Sequence, residues 1–120
     1  MLIKNLSKHT SIVFLLFSSS VGASFYQAGT MAAYCQQYVN LIELKSSVNQ
    51  LEAGVCSGYI ASAIEIMDLS SRLCQREKLN LNAVARQYID YIEQDKALKE
   101  ESATYVLINV LQKEYACKDN

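Results

Sequence analysis

The side chains of this 120-residue chain that could do chemistry are four cysteines and a single histidine. The cysteines are Cys35, Cys56, Cys74 and Cys117, separated by 21, 18 and 43 residues. Zinc sites usually contain closely spaced ligand pairs such as Cys-x-x-Cys, and thiol oxidoreductases carry the same pair at their active sites. Because the sequence contains no such pair, the spacing favours two disulfides, and three pairings are open.

The histidine, His9, lies in a segment with the pattern of a signal peptide. Lys4 and Lys8 make its start positive, residues 11–17 form a short apolar run, and small residues follow at 21–23. The run is shorter than the ~20 apolar residues that span a bilayer, which favours a signal peptide over a membrane anchor. We therefore predict a signal peptide over residues 1–23 and an exported protein that has no membrane contact after cleavage.

Cleavage there would remove the chemistry that depends on histidine. Serine or cysteine nucleophiles activated by histidine are then excluded, as are the commonest zinc sites. Residues 24–120 would remain, about 97 residues in one domain with a net charge of about −3. Such a mildly acidic surface is not expected to bind nucleic acid or anionic membranes. We predict a domain that is not an enzyme and holds no metal or other cofactor.

Helical periodicity of apolar residues predicts the elements that position the cysteines. The predicted helices cover about 30–46, 51–69, 80–94 and 102–115, and no segment alternates convincingly like a strand. Thr30 is expected to cap the first helix, and Asn80 or Asn82 the third. A short connection makes the first two helices antiparallel neighbours. The predicted fold class is all-α, a small disulfide-braced bundle of about four helices.

The second predicted helix carries the most regular apolar stripe. Its members are Cys56, Tyr59, Ile60, Ala63, Ile64 and Met67. Gly58 lies inside this helix at a cost of ~1 kcal/mol relative to alanine, so we expect another backbone to pass close to it. On the outer surfaces, the spacing predicts ion pairs between Asp68 and Arg72 and between Arg86 and Asp90.

The fourth predicted helix is apolar on two sides. One side carries Ala103, Val106, Leu107, Val110 and Leu111, and the other carries Tyr105, Ile108 and Tyr115. A helix of this kind is either the central helix of a domain or meets a second subunit. Tyrosine is common at interfaces, so we predict Tyr105, Ile108 and Tyr115 as a candidate homodimer contact.

Two polar segments connect the later helices. Residues 95–101 are dense in charge and contain one large apolar residue, Leu98, which predicts an exposed loop. Residues 70–78 hold three cationic side chains, and we interpret them as a solvated connection rather than a basic patch.

The residues around the cysteines resemble the Rap/Tai immunity proteins, which protect bacteria from peptidoglycan amidases delivered by type VI secretion. The matching features are Cys35 in the first helix, the run Cys56-x-Gly58-Tyr59-Ile60, Cys74, the pair Tyr91-Ile92 and the ending Tyr115-Ala116-Cys117. The chain departs from the family pattern at Ser62, Glu65 and Ala116, where the family usually has glycine, aspartate and proline. These departures affect packing and turns more than chemistry.

The resemblance implies a small periplasmic helical protein, usually a homodimer, that binds a cognate peptidoglycan amidase and occludes its active-site cleft. We predict disulfides between Cys35 and Cys56 and between Cys74 and Cys117. The alternative function is a small periplasmic chaperone or stress-binding protein, which would also be helical, exported and disulfide-bonded.

The family inhibits by inserting a loop, and this implies an inhibitory role for the charged segment between the third and fourth helices. The candidate inhibitory residues are Asp95, Lys96, Lys99 and Glu100. The competing interpretation of the same segment is an ordinary solvated connection.

Overall fold

The computed structural model of the chain describes residues 26–117, so the predicted signal peptide lies outside the described residues. The helices are α1 (Ala28–Ile42), α2 (Gln50–Leu69), α3 (Leu81–Gln94) and α4 (Ala103–Tyr115), with short 3-10 helices at Arg76–Lys78 and Lys96–Glu100. Two isolated bridges are the sole β pairing between residues 26 and 117. The all-α prediction is therefore confirmed. No helix in this range is long and apolar enough to cross a membrane.

Asparagine caps set the starts of α2 and α3. The Asn49 side chain accepts a hydrogen bond from the backbone N–H of Glu52 at 3.1 Å, and Asn80 accepts one from that of Ala83 at 2.8 Å. Each bond satisfies a donor that the first helical turn leaves free. Of the two predicted caps for α3, Asn80 is the one that forms, and α2 begins within one residue of its predicted start.

The bounds of α1 differ from the prediction at both ends. The helix begins after Gln27 and not at Thr30, because the Ala28 N–H donates to the Glu101 carbonyl at 2.8 Å and so has a partner outside the helix. It ends at Ile42 and not near residue 46, because Leu44 turns the chain with a φ of 58°. Long-range contact and a left-handed residue thus decide bounds that periodicity alone missed.

Contacts along α1 and α2 run in opposite directions. The ring of Tyr26 packs edge-on against that of Tyr59 with centroids 6.2 Å apart, and the Gln37 side chain accepts a hydrogen bond from the Asn49 N–H at 3.0 Å. Moving forward along the first helix therefore means moving backward along the second. The predicted antiparallel arrangement is confirmed.

Two disulfides brace the bundle, and they are the predicted pairs. Cys35 is bonded to Cys56 and Cys74 to Cys117, which leaves no free cysteine. The first disulfide is fully buried between α1 and α2. The second ties the segment after α2 to the end of the chain, beside a backbone bridge from Leu73 to the residue before Cys117.

Each of the four helices packs against the other three, and α1 makes the most extensive contacts. The stripe predicted on α2 faces the core, with Cys56, Ile60 and Met67 buried and its other members partly buried. The first predicted side of α4 is fully buried. Its other surface is exposed at several positions, so α4 is not covered on both sides within the described residues.

Gly58 does not mark a close backbone approach. A Cβ built at this position would find no atom within 4 Å, so the prediction was wrong. The sequence pattern indicated a glycine inside a helix, but it did not indicate on which side of the helix the glycine lies. Gly58 lies on the exposed side of α2.

The two predicted surface ion pairs were also wrong. Asp68 pairs with Arg76 and not with Arg72, because α2 ends at Leu69 and Ser71, with a φ of 55°, turns the chain away from the helical path. Arg76 is one of the cationic side chains of the 70–78 segment, which is largely exposed as predicted.

Arg86 reaches across to the end of α1 instead of along its own helix. Its guanidinium lies 2.7 Å from the Glu43 carboxylate, not on Asp90. The guanidinium Nε also donates to Asn82 at 3.1 Å, one turn earlier on α3. A partner on another helix therefore replaces the predicted neighbour four residues away.

Tyr88 joins the starts of α1 and α4 from inside the core. It is 1% exposed, and its hydroxyl lies 3.4 Å from the Ala28 carbonyl and 3.5 Å from the Ala103 carbonyl. Such long distances indicate weak hydrogen bonds. Burial raises the pKa of the Tyr88 hydroxyl, because the ionised form is poorly solvated there.

Replacing Tyr88→Phe should lower the free energy of unfolding by roughly 1 kcal/mol at neutral pH, because two buried carbonyls lose their donor. The neutral hydroxyl stabilises the fold fully below about pH 10, the pKa of an unfolded tyrosine, and less as the pH rises toward the higher folded-state pKa. Denaturant titrations should therefore show a smaller difference in the free energy of unfolding between parent and variant near pH 10.5 than at neutral pH. A difference that stays constant between the two pH values would contradict this account.

Candidate binding surface

The charged segment between α3 and α4 is ordered. Residues 95–101 contain the 3-10 helix Lys96–Glu100, and the Asp95 carboxylate accepts a hydrogen bond from the Ala97 N–H at 3.3 Å. Leu98 turns inward and packs against the core. The four predicted site residues are all exposed: Asp95, Lys96, Lys99 and Glu100. The segment is thus exposed as predicted, but it is a short helical turn rather than an irregular loop.

The 95–101 segment rests directly on the first turn of α1. A Cβ built at Gly29 would lie 3.0 Å from the Cβ of Lys99 and 3.2 Å from its carbonyl oxygen. The hydrogen bond from Ala28 to Glu101 fixes the end of the segment at the same place. Any side chain at residue 29 would push the segment outward, so the close backbone approach expected at Gly58 occurs at Gly29.

A groove between α1 and α3 opens beside this segment. Its near part, of about 290 Å³, is lined by Gly29, Ala32 and Ala33 on one side and by Ile92 on the other. Small side chains on α1 therefore leave open space next to the charged turn. This space is large enough to admit a side chain of a binding partner.

The groove continues along α3 past Ile89, which lines both of its parts. The far part has a volume of about 220 Å³ and ends at Glu43, which lies 2.7 Å from Arg86 and 3.3 Å from Lys45. Hydrogen bonds from Arg86 and then Lys45 hold the pKa of the Glu43 carboxyl below its usual range. One end of the groove thus carries the exposed charges of the 95–101 segment and the other a fixed ion pair.

The predicted homodimer residues do not share one surface. Tyr105 is 56% exposed and Ile108 is half-buried, whereas Tyr115 is 4% exposed and donates its hydroxyl proton to Gln87 at 2.9 Å. Tyr115 therefore belongs to the contact between α3 and α4. The homodimer contact stays a prediction, with Tyr105 and Ile108 as its surface members.

The described residues hold no group of three or more potential metal ligands, and all four cysteines are in disulfides. Residues 95–101 form a rigid charged projection, and the neighbouring groove is an open depression beside it. Sequence reasoning found the projection but missed Gly29 and the groove. A glycine near a helix start is an ordinary feature, and only the fold brings Lys99 against it.

A family model that describes Rap1a immunity proteins matches residues 22–117 of the chain. The match includes all four helices and both disulfides. No curated protein matches the chain, and no solved structure does.

Proposed function

Because the chain belongs to the family of Rap1a immunity proteins, we propose that it inhibits a peptidoglycan amidase effector of type VI secretion. Family membership implies a cognate effector as the partner and inhibition rather than catalysis as the activity. The resemblance of the sequence supports an amidase as the effector. The signal-peptide pattern of residues 1–23 supports a periplasmic site of action.

Within this proposal, the 95–101 segment occludes the cleft of the amidase. The observation that carries this assignment is the contact between Gly29 and Lys99, which seats an exposed charged turn on the start of α1. A segment that is already ordered loses little conformational entropy when it binds. A cleft that accepts a peptide substrate is open enough to admit such a turn, and the groove beside the turn offers further contact area.

The proposal is tested by co-purifying the mature protein with a candidate amidase effector and measuring peptidoglycan hydrolysis. We expect a stable complex and complete loss of hydrolysis at one inhibitor per amidase. A protein that leaves this amidase active and instead protects unrelated proteins from aggregation at low pH would be a periplasmic chaperone. That result would end the proposal.

Gly29→Ala should weaken inhibition about tenfold, which corresponds to ~1.4 kcal/mol of binding free energy. Alanine normally favours a helix over glycine by up to ~1 kcal/mol, but here its Cβ meets Lys99 and displaces the segment. Inhibition should therefore fall while the melting temperature changes little. Titration of amidase activity with each variant measures the effect.

Gly54→Ala is the matched control for this experiment. A Cβ at Gly54 would meet nothing within 4 Å, so the same substitution should stabilise α2 and leave inhibition unchanged. Equal inhibition by the Gly29→Ala variant and the parent would show that the seating of the segment does not matter for binding.

The proposal includes a homodimer, the state that the resemblance implies. Support comes from the exposed ring of Tyr105, because large exposed apolar groups are common at protein interfaces.

A further inference from the structure

The two disulfides differ in their exposure to solvent. The inner disulfide joins Cys35 and Cys56, which are each 0% exposed. The outer disulfide joins Cys74 and Cys117, which are both exposed. A disulfide is broken by a thiolate that reaches one of its sulfur atoms, so the rate of exchange depends on access. In the folded protein a dissolved thiol therefore reaches the outer disulfide but not the inner one.

The two disulfides also lie in different kinds of segment. The inner one joins residues inside α1 and α2, the two helices with the most extensive mutual contact, so a thiol reaches it only when these helices separate. Of the outer pair, Cys74 lies between α2 and the 3-10 helix Arg76–Lys78, and Cys117 lies two residues beyond α4. Neither residue belongs to a helix, so the outer disulfide can open without the loss of a helical hydrogen bond.

We propose that the outer disulfide is a reversible redox site, at which the folded protein is reduced by dithiols while the inner disulfide stays closed. The reductant is either a small dithiol or the paired cysteines of a thiol oxidoreductase, because both present the same chemistry. The proposal goes beyond the inhibition of an amidase and does not depend on it, so the two can fail independently.

The exchange balances with a dithiol as the reductant. One thiolate of the dithiol attacks the Sγ atom of one cysteine, a mixed disulfide forms, and the other cysteine leaves as a thiolate that takes up a proton. The second thiol of the reductant loses its proton and attacks the mixed disulfide, which forms the oxidised reductant and releases the second cysteine to be protonated in turn. Two electrons and two protons thus pass from the dithiol to the protein, and exchange with an added disulfide passes them back.

Buried neighbours keep the two outer cysteines close together after their bond opens. Leu73 is 5% exposed and Tyr115 4%, and a backbone bridge pairs Leu73 with Ala116. The Cys74 N–H also donates to the Tyr115 carbonyl at 2.8 Å. None of these contacts involves sulfur, so they remain after reduction and hold the two thiols at a high effective concentration. The bond can therefore close again without unfolding of the protein.

The backbone around Cys74 favours the open form. Ser71 and Gln75 have φ values of 55° and 58°, a left-handed conformation that costs free energy for residues with a side chain. Such a conformation persists only where the surrounding structure holds it. The bond to Cys117 is one of the constraints on this segment, so opening the bond allows the segment to relax.

The loop that the outer disulfide closes contains the elements proposed to carry inhibition. The bond has a sequence separation of 43 residues and encloses α3, the 95–101 segment and α4. Opening it lowers the stability of the fold, because the unfolded loop is then no longer restricted. The 95–101 segment itself is held by its contacts with Ala28 and Gly29 on α1, which reduction leaves in place. The redox site therefore regulates the stability of the protein and not the shape of the charged turn.

The test is to treat the mature protein with dithiothreitol, a small dithiol, without denaturant and to alkylate the free thiols with iodoacetamide at intervals. Mass spectrometry of the peptides should find the two outer cysteines labelled together, at least about 100-fold faster than the inner two, whose exposure requires opening of the core. In denaturant all four cysteines should be labelled at similar rates. Reduced thioredoxin is the second probe. Reduction by both probes would assign protein dithiols as reductants, and reduction by dithiothreitol alone would assign small ones.

The protein with its outer disulfide reduced should keep its circular dichroism spectrum, and its melting temperature should fall by at least about 10 °C. Removing the dithiol and adding oxidised glutathione should restore both the bond and the original melting temperature. The control is the double variant Cys74→Ser with Cys117→Ser, which should take up no label under the same native conditions.

Equal labelling rates for the two pairs, earlier labelling of the inner pair, or labelling only in denaturant would each overturn the redox site. A bond that does not re-form under native conditions would overturn its reversibility, and an unchanged melting temperature would overturn its effect on stability. Labelling is measured without any amidase. A protein that exchanges as expected but does not inhibit would therefore contradict the proposed function alone.

Discussion

Replacing Asp95, Lys96, Lys99 and Glu100 together by alanine should abolish inhibition of the cognate amidase. All four side chains are exposed, so their loss should change the free energy of unfolding by no more than about 1 kcal/mol. Two acidic and two basic residues are removed, so the net charge and the long-range attraction to the amidase stay the same. Lost inhibition would therefore report contact at the segment itself. Titrating amidase activity and recording thermal melts measure the two effects.

A second variant protects this experiment against a local change of conformation. Asp95 caps the 3-10 helix, and alanine there removes the hydrogen bond from Ala97. A triple variant that keeps Asp95 but replaces Lys96, Lys99 and Glu100 preserves the cap. It should still lose most of its inhibition, because the side chains that point outward are gone.

The matched control replaces two acidic and two basic exposed residues elsewhere, namely Arg72, Glu77, Lys78 and Glu114. It should inhibit like the parent. If the control loses inhibition while the variant at residues 95–101 keeps it, the inhibitory contact lies in the 70–78 segment. That outcome would refute the role assigned to the charged turn.

Removing the disulfide between Cys74 and Cys117 should lower the free energy of unfolding by about 4 kcal/mol in the chain-entropy model. The bond closes a loop with a sequence separation of 43 residues, so it restricts the unfolded chain strongly. Domains of this size are stable by only about 5–15 kcal/mol in total. A double replacement by serine is suitable, because both cysteines are exposed and no buried cavity is created.

Denaturant titration of the double-serine variant against the oxidised parent measures this loss. Thiol titration of the unreduced, denatured mature parent should first find no free thiol. The backbone bridge between Leu73 and Ala116 stays in the variant and holds the same two segments. A loss below about 1 kcal/mol would mean that this bridge and the surrounding packing are sufficient without the disulfide.

The sequence alone determined those features whose causes are local. The stripe from Cys56 to Met67 predicted the buried side of α2, because residues three and four apart share a helix face. Two asparagines, Asn80 and Asn82, predicted the start of α3 to within two residues, and the Asn80 side chain accepts from a backbone donor three residues ahead. The density of charge in residues 95–101 predicted exposure, because charged side chains are rarely buried without a partner.

Tertiary structure decided every feature that depends on which segments meet. Arg86 pairs with Glu43, 43 residues away, rather than with Asp90 on its own helix. Tyr115 is turned inward to Gln87, although its spacing alone would place it with Tyr105. Periodicity shows that a helix has a second apolar side but not which neighbours cover it.

The two glycines show the same division at the candidate binding surface. Gly58 interrupts a helical pattern and faces open space. Gly29, which the sequence did not distinguish, lies in close contact with Lys99. A glycine's need for space comes from the atoms packed around it, and these are 70 residues away along the chain. Local patterns therefore predicted the helices and their exposed charges, and only the packing of distant segments decided how the charged turn is held.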